Sequence, residues 1–305
     1  MANPIKTRAA DLSEHELFYP RELSWLSFNA RVLQEAADQG VPVIERLRYL
    51  GIFSNNSDEF FRVRVAEVRR LISVSSGTNR QHFKDLLAAI LESVVSLQKE
   101  FDRIYVQIMA ELAQRKIYLI NERQIDDGQA AFVQSYFSDK VLPELEPILL
   151  GEGRAIPALN DESLYLAVDI RSGEDYNYAV VEVPTDRLDR FVEIPRRKGK
   201  GGKVFIVLDN IMRACLPQMF RGVIPIDEAN AYCFKFSRDA ELEIDAGISE
   251  SLINKMTMSL KQRRKADAVR MVYDETMPGR LLEYICNRCG FGKYDSLIAG
   301  GRYHN

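Results

Sequence analysis

Histidine and cysteine are scarce here, at three and four residues in a chain of 305. The four thiols (Cys215, Cys233, Cys286 and Cys289) are too few and too scattered for the disulfide framework of a small secreted domain, so a reducing cytoplasm is the expected compartment. Cys286-Asn287-Arg288-Cys289 has the spacing of half a zinc site. Cys215 and Cys233 do not complete it, and His15, His82 and His304 lie far apart, so buried structural thiols are the expectation. No stretch approaches the ~18–20 uninterrupted apolar residues of a membrane-spanning helix. Met1 to Glu16 is charged throughout and lacks the apolar centre of a secretory leader. Excess charge is missing too: 41 Lys+Arg against 44 Asp+Glu leave a net charge of −3, which gives no reason to expect a dedicated nucleic-acid binder. There is no internal repeat and no low-complexity tract. A 46% hydrophobic and 28% charged composition argues against disorder as the main state.

Several catalytic signatures are absent as well. Gly202-Lys203 is followed by Val204, and position 197 is Arg, so the Gly- and Lys-rich stretch Pro195–Lys203 fails the G-x-x-x-x-G-K-[ST] pattern that cradles phosphate. It reads as a solvated basic loop between two sheet elements, with a polyanion contact surface left open. Gly151-x-Gly153 lacks the third glycine of a dinucleotide fingerprint, because position 156 is Ile. The chain contains no H-E-x-x-H, no G-x-S-x-G and no protein-kinase catalytic loop.

What is present divides the chain in two, as expected at ~150 residues per domain. From Ser24, a good N-cap, Trp25, Phe28, Val32, Leu33 and Ala36 recur at helical spacing until Gly40 and Pro42. A second run, Val43 to Leu50, ends near Gly51, and a third follows Ser57. The longest signal is Phe83, Leu87, Ile90, Val94, Leu97, Phe101, Ile104, Ile108 and Leu112, a seam along a helix of about thirty residues. These segments predict an antiparallel α-helical bundle over 21–115.

Beyond Asn121 the texture changes. A helix is expected over Gly128–Phe137. Tyr165–Ile170 and Tyr178–Val183 flank the turn-rich Ser172-Gly173-Glu174-Asp175, a hairpin signature. Further strands fit Val204–Leu208, Tyr232–Phe236 and Ala268–Tyr273, and helices fit Asn210–Met219, Glu250–Arg263 and Gly279–Cys289. The fold class is multidomain α and α+β: the bundle, then an α+β head domain with hairpin strands and helices.

Two local features stand out. In Phe53-Ser54-Asn55-Asn56-Ser57-Asp58-Glu59-Phe60-Phe61, placed between two helices, Ser57 can cap the third helix and Asp58 and Glu59 favour its dipole. Asp58 can pair with Arg62 at i,i+4, with Arg69 on the same face. The adjacent asparagines are left over, and a carboxamide suits the edge of a nucleobase. The second feature is the ending Gly300-Gly301-Arg302-Tyr303-His304-Asn305, which looks like the start of a further structured segment.

Tyr19-Pro20-Arg21-Glu22-Leu23-Ser24-Trp25-Leu26-Ser27-Phe28-Asn29 resembles the opening motif of the polyphosphate kinase family. Arg31–Ala36, Ser54-Asn55-Asn56, Ile120-Asn121-Glu122 and the Gly300–Asn305 ending are similar too. The expected organisation is a flexible segment over 1–16, a helical N-terminal domain over 17–123 and an α+β head over 124–297; the resemblance implies the same two domains and the start of a missing catalytic domain at 298–305. It implies an enzyme that transfers the terminal phosphate of ATP to polyphosphate through a phosphohistidine, with Mg2+, ATP and ADP bound by the full-length protein. The implied assembly is a homodimer or higher homo-oligomer, cytoplasmic or peripheral at the inner membrane, with no specific nucleic-acid partner. Asn56 matches the residue that approaches adenine, and Asn55 keeps a turn or helix-start role. No catalytic or metal-binding residue is carried over, and the chain alone is expected to be inactive. The alternative is a non-catalytic dimerisation or nucleotide-binding module derived from the same family.

Overall fold

The computed structural model describes residues 19–151, 159–160, 163–196, 201–238, 268–289 and 296–300. The first third is the expected bundle: α1 (Arg21–Ala37), α2 (Val43–Phe60), α3 (Ala66–Val74) and α4 (Gly77–Gln114). The apolar seam of α4 is buried at Leu87, Ile90, Val94, Phe101, Ile104, Ile108 and Leu112 along a 38-residue helix.

Three boundaries differ from the sequence reading. Helix α1 starts at Arg21, and the Ser24 amide already donates to the Pro20 carbonyl at 3.0 Å, so Ser24 lies inside the first turn. Gly51 does not end α2. Leu50, Phe53 and Phe60 bury a continuous stripe, which outweighs the ~1 kcal/mol that a mid-helix glycine costs. Ser57 caps nothing, because its hydroxyl donates back to the Phe53 carbonyl at 2.8 Å within an unbroken helix. Residues Phe61–Val65 form one π-helical turn, and the chain then runs directly into α3.

After α4, β1 (Ile117–Ile120) leads to α5 (Asp127–Tyr136), whose start is fixed by a capping box between Asp126 and Gln129. Asn121 plays the same part for the short turn that follows β1: its Oδ1 accepts from the Arg123 amide at 3.0 Å. Then come β2 (Ile148–Leu150), β3 (Tyr165–Ser172) and β4 (Asp175–Glu182). Strands β3 and β4 form the expected hairpin, with Ser172 opposite Asp175 and Gly173 at φ +64 in the turn. The remaining elements are β5 (Phe191–Ile194), β6 (Lys203–Val207), α6 (Leu208–Ala214), α7 (Leu216–Met219), β7 (Glu228–Arg238), β8 (Ala268–Asp274), α8 (Gly279–Cys289) and β9 (Ser296–Gly300). The helix expected over Glu250–Arg263, the basic run Lys261–Lys265, residues 197–200 of the basic loop and the Gly301–Asn305 ending lie outside the described residues.

The strands form two sheets, ordered β1-β6-β5 and β2-β4-β3-β7-β8-β9. In the larger one both faces are buried. Leu166, Val168 and Ile170 of β3 enter one core, while Tyr165 and Ala167 join Phe234, Phe236 and Met271 beneath α8 in another. The far side of β8 and β9 meets the bundle: Val272 and Ile298 pack with Phe60, Phe61, Val65 and Ile72. That docking brings the end of α2 against the sheet. Immediately before β6, Gly202 has φ +107 and a Cβ there would lie 2.2 Å from the Lys116 carbonyl oxygen, so only glycine fits.

Candidate functional site

The asparagine segment is the last two turns of α2, not a loop. Successive residues there point in different directions, and each meets a different part of the molecule. Asn56 turns toward α1. Its Nδ2 donates to Asn29 Oδ1 at 3.0 Å, while Asn29 Nδ2 donates to the Phe53 carbonyl and to Ser57 Oγ, both at 3.2 Å. The network fixes both carboxamides. Asn29 spends its donor on the carbonyl, so it presents oxygen to Asn56, and Asn56 must answer with nitrogen. Asn29 is fully buried and Asn56 half-buried.

Asp58 points about 200° away around the helix, toward the large sheet. It does not pair with Arg62, which lies 3.8 Å from Glu59 instead. Asp58 Oδ2 accepts from Lys235 Nζ of β7 and Oδ1 accepts from Arg270 Nη1 of β8, each at 2.6 Å. All three side chains are nearly enclosed. Burial lowers the Arg270 pKa, and the Asp58 charge works against that shift. The Arg270 guanidinium also lies over the Phe61 ring, 4.6 Å from its centroid, and Trp25 stacks on Phe60 at 4.6 Å.

Asn55 is exposed and serves no turn or helix start. With Asp58, Glu59, Thr185, Arg190 and Lys235 it lines a cleft of about 460 Å³ between α2 and the sheet domain. Sequence reasoning missed Asn29, Lys235 and Arg270. For Asn29 a signal was available, since Leu26, Asn29, Leu33 and Ala36 step by three and four along the buried face of α1.

The cysteines do not form a reactive centre. Cys233 is buried, where its sulfur accepts from Arg213 Nη2 at 2.8 Å, and burial pushes its thiol pKa up. Desolvation likewise lifts Cys215 and Cys289 to about 11. Cys286 and Cys289 are only half-buried, less enclosed than the sequence suggested. Among the described residues no group of three or more His, Cys, Asp or Glu side chains could hold a metal ion. His82 lies on α4 beside Phe83, and His15 and His304 fall outside the described residues. No helix among the described residues is long and apolar enough to cross a membrane.

A helical bundle locked onto a two-faced sheet by a buried ion cluster is the arrangement of a multidomain protein, and its two parts each match a known domain family. Residues 18–120 match the family described as "Polyphosphate kinase N-terminal domain", and residues 128–305 match "Polyphosphate kinase middle domain". The chain belongs to the polyphosphate kinase family. It is 46% identical over 296 residues to polyphosphate kinase of Vibrio cholerae, covering 96% of this chain and 42% of that protein. To the Escherichia coli K12 enzyme it is 43% identical over 297 residues, covering 96% and 43%. The crystal structure of polyphosphate kinase from Porphyromonas gingivalis superposes with a TM-score of 0.74 at 33% identity, over 94% of this chain and 39% of that one. The chain therefore spans about two fifths of the length of these relatives.

Proposed function

We propose that this chain is the N-terminal and middle portion of an enzyme that moves the terminal phosphate of ATP onto polyphosphate, and that Asn56 reads the edge of the adenine. The supporting observation is the tethered carboxamide. With Nδ2 held by Asn29, Oδ1 lies in the same plane on the opposite side of Cγ as an oriented acceptor. Such an acceptor matches the exocyclic amine of adenine and opposes the carbonyl oxygen that guanine carries at the same place. A contact of this kind is worth ~1–3 kcal/mol, or roughly 5- to 150-fold in affinity.

One contact does not make a nucleotide site, since micromolar affinity requires about 8 kcal/mol. The histidine that carries phosphate and the groups that hold magnesium are assigned to the part of the relatives that this chain does not span. The sheet domain is assigned the contact between subunits of a homo-oligomer.

Two measurements test this. In the complete enzyme, Asn56→Ala weakens ATP binding several-fold by calorimetry and shrinks the preference for ATP over GTP. An unchanged affinity removes Asn56 from the site. The isolated 305-residue chain retains no label from γ-labelled ATP, and stable labelling of it would refute the division of labour.

A further inference from the structure

We propose that Asp58, Lys235 and Arg270 are positioning residues for the nucleotide site, fixing the rotation and height of α2 so that Asn56 meets the base. The inference rests on the adenine reading above and deepens it. Lys235 and Arg270 stand on adjacent antiparallel strands. Lys235 is opposite Val272 and Ser237 opposite Arg270, so the two cations are diagonal neighbours on one face of the sheet. That face is the one docked on the bundle, as Val272 shows, while the intervening Phe236 and Met271 turn into the other core. Two cations thus leave the sheet side by side and converge on separate oxygens of one carboxylate.

This arrangement is poorly suited to stability alone. Three charges are withdrawn from water, and Arg270 Nε is buried without a hydrogen-bond partner among the described residues. Apolar side chains of similar size would fill the space without that desolvation. What the ions add is direction. Bonds to both oxygens fix the carboxylate plane, and with it the rotation of the helix that carries Asn56 two residues earlier. On the opposite side, Asn29 clamps the same turn. Asn55 and Glu59, which share the sheet-facing cleft with Asp58, Arg190 and Lys235, move with the same turn.

The test uses the complete enzyme. Asp58→Asn keeps the shape and removes the charge. The expected result is a KM for ATP raised about fivefold or more with kcat changed less than about twofold, the pattern of a lost binding contact remote from the transferred phosphate. The preference for ATP over GTP falls in parallel. Asn56→Ala combined with Asp58→Asn is no worse than Asn56→Ala alone, because both act through one contact. The neutral variant Asp58→Leu/Lys235→Met/Arg270→Met regains the thermal midpoint lost in Asp58→Asn but keeps the raised KM. A wild-type KM and base preference in Asp58→Asn, multiplicative effects in the double variant, or recovery of both midpoint and KM in the neutral variant would overturn the proposal. If Asn56→Ala by itself leaves KM unchanged, it is the adenine reading that fails.

Discussion

Replacing Asn29 by Ala tests the link between α1 and the turn of α2 that bears Asn56. The substitution removes three hydrogen bonds: Nδ2 to the Phe53 carbonyl, Nδ2 to Ser57 Oγ, and Asn56 Nδ2 to Oδ1. The Phe53 carbonyl keeps its bond from Ser57, so the group left unpaired is the half-buried Asn56 amide, which can still reach water. At about 1 kcal/mol net for each bond, the loss is ~3 kcal/mol. Trp25, the sole tryptophan, stacks on Phe60 across this interface and reports its unfolding by fluorescence. With an m-value of roughly 1.5 kcal/mol/M, the Trp25-reported urea midpoint falls by about 2 M. Asn29→Leu restores volume but not hydrogen bonds, and recovers little. A shift below about 0.5 M in Asn29→Ala, well under the loss that the three bonds imply, would refute the reasoning.

Two further outcomes follow from other parts of the chain. Gly202→Ala places a methyl group against the Lys116 carbonyl and an L-residue at φ +107, at a cost of ~3 kcal/mol. The β6 amides, beginning with Lys203 on the Lys116 carbonyl, then lose hydrogen-exchange protection, and retained protection would contradict the clash. Cys215 is buried, with its thiol lifted from 9.0 to about 11 by desolvation. Between those values the unfolded chain has lost a proton that the native state keeps. Stability therefore falls as pH rises from 9 toward 11, by up to ~1.4 kcal/mol per unit, and Cys215→Ala shows a shallower fall in urea midpoint over that window.

The bundle was legible because its signal is local and repeated: the seam of α4 recurs at three- and four-residue steps over eight turns, and burial follows it. The β3–β4 hairpin was legible for the same reason, with two alternating runs around a turn that contains glycine. The end of α2 was misread because its local grammar is ambiguous. Gly51 looks like a stop and Ser57-Asp58-Glu59 like a helix start, yet tertiary burial of Phe53 and Phe60 carries the helix through both. The partners of Asp58 could not be found locally at all, since they lie 177 and 212 residues further along. A trace was there nonetheless. Lys235 sits between Phe234 and Phe236 in a strand buried on both faces, and a charge in such a place requires a counter-charge from elsewhere in the fold.

That separation has a consequence for how the protein is made. The carboxylate of Asp58 leaves the ribosome 212 residues ahead of Arg270, which at ~5–20 residues per second is about 10–40 s of synthesis. Throughout that interval the early helices can coil and pack, and Asn29 can hold the end of α2 from the α1 side, but Asp58 lacks its two cations and stays hydrated. The turn that bears Asn56 is thus held from both sides only after translation has passed residue 270.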